Sequence, residues 1–86
     1  MAVGILAAGG VGPGGSYTLY TVPGGISYAV VHVYPSNANV NANGATLGGS
    51  ASLVLSTGQT VGISSFVGPN SFAPGGSAIV TGYEVP

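Results

Sequence analysis

Runs of apolar and β-branched residues alternate with clusters of glycine and proline along the chain. Each run is six to nine residues long and rich in Val, Ile, Tyr and Thr, and turn-forming residues bound it. Runs with this composition and these boundaries are typical of β-strands. The pattern predicts strands over residues 16–22, 26–34, 51–56, 60–67 and 77–85.

The same pattern argues against helices. No window of ten residues carries apolar residues at helical spacing without a Gly or a Pro. Three further extended pieces, residues 4–8, 39–41 and 45–47, are short enough to be sheet edges. Strands at this spacing predict an all-β fold, either a small antiparallel β-sandwich or a jelly-roll-like barrel. We expect an extended glycine-rich N-terminal arm over residues 1–15 and the sandwich domain over residues 16–86.

A tight turn is predicted after the first of these strands. Pro23 restricts Val22 to extended backbone and suits the second position of a type II turn, while Gly24 suits the third position, which needs a positive φ. We expect this turn to join two antiparallel strands.

Residues 26–34 form the most informative strand, because neither of its two faces is properly polar. One face carries Ala29, Val31 and Val33, and the other carries Ile26, Tyr28, Val30, His32 and Tyr34. A strand covered on one side only should alternate apolar with polar residues. The tyrosine-bearing face is therefore predicted to contact another molecule. The alternatives are that both faces lie inside a two-sheet core, or that the tyrosines cover their own sheet.

Residues 36–44 alternate Asn with small apolar residues. This pattern fits a polar-out edge strand, or a turn-rich loop in which Asn adopts the left-handed conformation. An Asn ladder of the aggregating kind is a third option. The run is short and Gly44 interrupts it, so we favour the loop or the edge strand.

The chain of 86 residues carries almost no charge, since Lys, Arg and Asp are absent and Glu84 is its one acidic residue. Nucleic acids and anionic membranes both attract proteins through basic side chains, so neither partner is expected. The absence of Cys excludes disulfides and thiolate metal sites. His32 and Glu84 alone cannot supply the ligands of a structural zinc site. We expect no cofactor and no metal.

Two motifs that suggest chemistry have simpler explanations. Residues 10–15 have the G-x-G-x-x-G spacing of a dinucleotide-binding loop, but a strand-like run follows them and no acidic residue occurs before Glu84. His32 and Glu84 are the one pair suited to acid–base catalysis, and no nucleophile stands out among the many Ser and Thr residues. An enzyme is not expected, and we name no catalytic residue.

A domain this small and rich in glycine, without disulfides or a metal, is expected to gain stability from association. The net charge of −1 also removes the repulsion that keeps monomers apart. We therefore predict a homo-oligomer. The candidate interface residues are Val3, Ile5, Leu6, Tyr20, Tyr28, His32, Tyr34 and Tyr83.

Two stretches carry a resemblance to a known group. The segment Leu19-Tyr20-Thr21-Val22-Pro23-Gly24-Gly25 with the strand after it, and the ending Thr81-Gly82-Tyr83-Glu84, resemble the small β proteins of tailed-phage particles. Many of those proteins begin with a strand–turn–strand of the type LYTVPAG. A basic residue commonly follows their turn, whereas this chain has Ile26, which places the mode of contact with a shell in question.

The resemblance implies a virion structural protein, made in the host cytoplasm and located on the capsid surface. Cement proteins of this kind often stand as trimers that tie neighbouring capsomers together, so the implied partners are further copies of this chain and the major capsid protein. A fibre, tail or baseplate component is the alternative within the particle. A receptor- or glycan-binding tip domain is another, because five Tyr residues and many Asn, Ser and Thr residues suit sugar binding.

Overall fold

The computed structural model describes residues 3–66, 68 and 75–86, which form strands and turns with no helix. The all-β prediction is confirmed, and every predicted strand and extended piece has a counterpart. The eight strands are β1 (Val3–Val11), β2 (Ser16–Thr21), β3 (Tyr28–Ser36), β4 (Ala38–Ala42), β5 (Ala45–Gly48), β6 (Ala51–Ser56), β7 (Thr60–Ser65) and β8 (Gly76–Val85). The predicted end of the fourth long strand, Val67, lies outside the described residues.

The strands form two antiparallel sheets of four. The first sheet has the order β1-β8-β3-β6 and the second sheet has the order β2-β7-β4-β5. Along the chain, six of the seven connections pass from one sheet to the other, and only β4 and β5 are consecutive within a sheet. This arrangement is compatible with a β-sandwich.

One apolar core lies between the two sheets. Its most buried large side chains are Val31, Val33 and Val80 from the first sheet and Val40, Val61 and Ile63 from the second. The alternation predicted for one strand is present, since Ala29, Val31 and Val33 are buried while Tyr28, His32 and Tyr34 are exposed. No polar or charged residue is fully buried among the described residues. The core therefore depends on small branched side chains, which suit closely packed strands.

The predicted N-terminal arm is not confirmed. Residues Val3–Val11 form β1, which pairs with β8 at one edge of the first sheet. A bulge between Ile5 and Ala7 turns both Leu6 and Ala7 toward the core, and Val11 packs there as well. Burial of these apolar side chains against the chain's own core explains why the segment forms a strand.

The predicted turn after β2 is wrong in two respects. The residue with positive φ is Gly25 (φ 88°), and the turn is closed by a 3.3 Å hydrogen bond from the Ile26 amide to the Pro23 carbonyl, so Pro23 is its first residue. The strands on either side, β2 and β3, lie in different sheets and do not pair. The physical reason is Val22, which is buried in the core and holds the chain there before it crosses the sandwich. Ile26, predicted on the tyrosine-bearing face, instead packs against the core ahead of β3.

The Asn-rich segment forms β4, which lies between β7 and β5 and so is not an edge strand. Ala38 and Val40 are buried in the core, which fixes β4 inside the sheet. Asn43 and Gly44 follow with positive φ values of 48° and 86° and connect the paired residues of a tight β4–β5 hairpin. Two consecutive residues with positive φ are characteristic of a type I′ turn, for which Asn-Gly is a preferred sequence.

Candidate functional site

The outward side of the first sheet is an exposed apolar surface, which we call the apolar face. Strand register builds it: Tyr83 lies opposite Val3 on one side and Val30 on the other, and Val30 lies opposite Val54, so one row crosses all four strands. The apolar face consists of Val3, Ile5, Tyr28, Val30, Tyr34, Val54, Ile79 and Tyr83. A polar row of Thr81, His32 and Ser52 divides this surface, so Ile79 and Tyr34 lie apart from the row that contains Tyr83. Soluble monomers rarely expose large apolar patches to water.

The side chains of the apolar face are exposed to an unusual degree. Val3 is 72%, Ile5 is 69% and Val54 is 68% exposed, and Tyr34 is 57% exposed. These residues come from three of the four strands, so the exposure belongs to the whole face and not to one loose edge. Exposed apolar surfaces of this kind in other proteins commonly mark sites of contact with a partner or a ligand.

The apolar face has a small polar centre. His32 lies between Thr81 of β8 and Ser52 of β6 in the strand register. Its Nδ1 atom is 2.6 Å from the Ser52 hydroxyl oxygen, a hydrogen bond that fixes the ring against the sheet. This centre offers hydrogen-bonding groups within an otherwise apolar surface.

The structure brings together six of the eight residues predicted as contacts. Val3, Ile5, Tyr28, His32, Tyr34 and Tyr83 all lie on the outward side of the first sheet. Leu6 and Tyr20 instead pack against the core. Sequence reasoning missed Val54 and Ile79, although both alternate with core-facing neighbours within predicted strands and were accessible to the same argument.

His32 and Glu84 do not form a catalytic pair. His32 is on the outward side of the first sheet, whereas Glu84 lies opposite the buried Ala29 and so on the inward side. Glu84 instead accepts a 2.6 Å hydrogen bond from the Tyr20 hydroxyl group, which connects β8 of the first sheet to β2 of the second. Burial, reinforced by this hydrogen bond and by the Glu84 charge, raises the pKa of Tyr20 to about 12.

The second sheet carries an open cleft of about 250 Å³ with both polar and apolar lining, which we call the amide cleft. Its lining includes Tyr17, Thr18, Asn41, Asn43, Thr60 and Gly62. Asn41 lies directly opposite Gly62, and the two alternate with the core residues Val40 and Ile63. The bare backbone at Gly62 is required, because a Cβ atom there would collide with the Tyr17 carbonyl oxygen.

Neither a cluster of metal-ligating residues nor a membrane-spanning helix is present among the described residues. They contain no group of three His, Cys, Asp or Glu residues able to hold a metal ion. In the described part of the chain, no helix has the length and apolar character needed to cross a bilayer. The glycine-rich segment before β2 closes a turn through a 2.9 Å hydrogen bond from the Gly15 amide to the Gly12 carbonyl, and a strand follows it where a dinucleotide loop requires a helix.

The chain matches no protein-family model, no curated protein and no solved structure.

Proposed function

We propose that this chain is a non-enzymatic structural subunit of a virion, a decoration or cement protein that binds the outer capsid surface and stabilises the shell. The observation that carries the proposal is the apolar face, with seven large side chains more than 40% exposed on one side of one sheet. Exposed apolar surface on this scale commonly marks a site of contact with another molecule.

The energetics favour a repeated contact over a single one. Full burial of a large apolar side chain is worth about 1.5–3 kcal/mol, so burying the exposed half of seven of them gives roughly 5–10 kcal/mol. Association itself costs about 4–15 kcal/mol. A lone copy therefore binds weakly, and linked copies bind well, because the second contact is made at high effective concentration. A homotrimer on a capsid lattice meets this requirement.

The strand order supports the proposal. The pairs β1–β8, β2–β7, β3–β6 and β4–β5 are nested within one another, and six connections pass between the sheets. This is the order of an eight-stranded jelly roll, an architecture found in viral capsid and lectin domains. The resemblance of residues 19–25 and 81–84 to small phage β proteins points to the same class.

The absence of charge sets the chemistry of the proposed contact. Lys and Arg are absent from the chain, and Glu84 is turned inward toward Tyr20. Docking would rest on apolar burial and on hydrogen bonds from tyrosine hydroxyls and the His32–Ser52 pair. The matching surface of the major capsid protein would be apolar and uncharged.

Electrophoresis of purified particles, followed by depletion and add-back, tests the proposal. The expected result is a stoichiometric band for this chain, loss of the band after mild dissociation, and lower mechanical or thermal stability of the stripped particle that added protein restores. A band from purified tails alone assigns the chain to a fibre, tail or baseplate. Absence of the chain from every particle fraction contradicts the proposal.

A further inference from the structure

Among the described strands, β6 is the only edge strand whose pairing is regular. Each sheet has two edge strands, β1 and β6 in the first sheet and β2 and β5 in the second. The pairings of β1, β2 and β5 with their neighbours are interrupted by register shifts, at Ile5/Ala7, Thr18/Tyr20 and Val40/Asn41. β6 instead pairs with β3 at six consecutive positions without a shift. Bulges protect a sheet edge against pairing with another chain, so β6 lacks a protection that the other edges have.

The sequence of β6 offers no other protection. Its residues, Ala51–Ser56, include no Pro and no charged side chain. Native edge strands commonly carry Lys, Pro or an inward-pointing charge, each of which opposes the addition of a strand. On its side away from β3, β6 pairs with none of the described strands. The net charge of the whole chain is −1, so two copies approach each other with almost no repulsion.

Two of the three inward side chains of β6 are incompletely covered. Ala29, Val31 and Val33 of the neighbouring β3 are all fully buried. Ala51 and Leu53 of β6 pack against the same core but stay partly exposed. The difference follows from position, because β3 has a strand on both sides and β6 has a strand on only one. A further strand beside β6 would cover Leu53 and add its apolar burial to the contact.

The residues of β6 are complementary to a second, antiparallel β6. In a pair centred on Val54, Val54 lies opposite its own copy, Leu53 lies opposite Leu55, and Ser52 lies opposite Ser56. Apolar residues therefore meet apolar residues and hydroxyl groups meet hydroxyl groups, and the inward and outward sides are preserved. Such a contact is two-fold symmetric and closes after two copies.

We propose that β6 pairs with β6 of a second copy of this chain, which joins two first sheets of four strands into one sheet of eight. The two-fold axis of this pair is perpendicular to the sheet, so the two apolar faces point the same way. Both copies can then bind one shell at the same time, and the second contact is made at high effective concentration. In an array of homotrimers, the pair lies between copies of two neighbouring trimers. The inference rests on the proposed function only for this role of the joined faces.

A single introduced cysteine tests the pairing, because the chain has no other thiol. Opposed residues of antiparallel strands have Cβ atoms about 4.5–5.5 Å apart, near the spacing of a disulfide. Mild oxidation of the full chain with Val54→Cys should give a covalent dimer on a denaturing gel. Val3→Cys is the matched control, since Val3 is 72% exposed on the same face but lies in β1, and this variant should stay largely monomeric on the same gel.

A pair of charges at the two-fold axis tests the register. The unaltered chain should associate with a dissociation constant on the order of 10–100 µM in sedimentation equilibrium at low salt. Val54→Lys and Val54→Glu each place like charges opposite each other, which should raise this constant about 3- to 30-fold. An equimolar mixture of the two variants places opposite charges there and should restore it to within about threefold. Residue 54 is 68% exposed, so both variants should fold like the unaltered chain.

Four results would overturn the proposal. They are no association of the unaltered chain up to about 1 mM, cross-linking of Val3→Cys as fast as that of Val54→Cys, a mixture of the two charged variants that associates no better than either alone, and growth into fibres in place of a closed pair.

These measurements use no particle, so the inference and the proposed function fail separately. Particle binding by chains that do not pair would overturn the inference and leave the proposed function intact. Pairing without particle binding would do the reverse.

Discussion

The two sheets are alike on their inward sides and opposite in character on their outward sides. Both contribute Val and Ala side chains to one core. Outward, β3 presents Tyr28, Val30, His32 and Tyr34, while the corresponding positions of β4 are Asn39 and Asn41. Alternation with a period of two explains both inward sides. Tyrosine and valine occupy most outward positions of β3, and asparagine occupies those of β4.

The inward side chains are those that the fold requires. The outward side chains contact solvent or a partner, so their polarity is set by what covers them. An Asn on an outward position satisfies its amide with water or with a neighbour such as Thr46. A Val or Ile at such a position contributes nothing to the core and leaves apolar area in contact with solvent. Exposure of Val3, Ile5 and Val54 to water is unfavourable for the isolated chain. Burial of the same side chains against a partner would be favourable.

The largest expected effect is a loss of stability caused by a substitution at Gly82 in the first sheet. Gly82 has a φ of 144°, and a Cβ atom there would collide with the Val30 carbonyl oxygen. Gly82→Ala should lower the free energy of unfolding by about 3 kcal/mol or more, because the β3–β8 pairing cannot absorb the clash. Chemical denaturation measures this. Gly24→Ala is the matched control, since nothing lies within 4 Å of an added Cβ atom there and its effect should be within about 1 kcal/mol.

The next largest effect is expected from a charge introduced on the outward side of the first sheet. Val54→Lys places a charge on the apolar face and should weaken particle binding about 100-fold or more, because an unpaired ammonium group would be buried in the contact. Its free energy of unfolding should change by only about 0.5 kcal/mol, since residue 54 is exposed. Co-sedimentation with stripped particles measures the binding.

Leu47→Lys is the control for that variant. Leu47 is an exposed apolar residue of β5 in the second sheet. Binding of this variant should match that of the unaltered chain. Equal losses for both variants would show that added charge acts in general and that the apolar face is not the contact.

A smaller effect concerns the hydrogen bond that connects the two sheets. Tyr20→Phe should lower the free energy of unfolding by about 1–2 kcal/mol, because the Glu84 carboxylate loses a donor in a partly buried place. The folded-state pKa of Tyr20 is about 12 against an ordinary value of 10.0. Folding therefore favours the protonated phenol, and this contribution is complete below pH 10 and lost as the pH rises toward 12.

Thermal unfolding across that pH range separates this effect from general alkaline denaturation. The unaltered chain should lose more stability between pH 10 and pH 12 than the Tyr20→Phe variant does. Tyr34→Phe, on the apolar face, is the matched control for the loss of a hydroxyl group, and its free energy of unfolding at neutral pH should stay within about 0.5 kcal/mol of that of the unaltered chain. Parallel curves for the unaltered chain and Tyr20→Phe would contradict the assignment.

The smallest expected effect is the response of binding to salt. The chain contributes almost no charge to any contact, so screening has little to act on. The particle-binding constant should change by less than about twofold between low and high sodium chloride. A steep fall with salt would mean that ion pairs with the partner's charges dominate the contact.

The sequence predicted most of the strands, because Gly and Pro clusters end each apolar run and the side chains within a run alternate between two faces. It predicted the two faces of β3 for the same reason, and with them most of the apolar face. It did not predict the pairing of β1 with β8, because a strand rich in Gly and Ala has the same composition as an extended arm, and only a partner strand distant in sequence distinguishes them.

The amide cleft was also beyond sequence reasoning. The abundance of Tyr, Asn, Ser and Thr does not indicate where in the fold such a cleft forms. The site depends on Gly62 lying opposite Asn41 and on the type I′ turn at Asn43, which are long-range and conformational facts. The composition gives the side chains that are present, but not which of them lie in contact in the fold.

The most direct test of the account is a cryo-electron microscopy map of the purified particle at a resolution that separates strands. The account predicts copies of this chain on the outer capsid surface, with the apolar face of β1, β8, β3 and β6 against neighbouring subunits and the second sheet toward solvent. A map in which the chain is bound through its second sheet, with Val3, Ile5 and Val54 in contact with water, would contradict it.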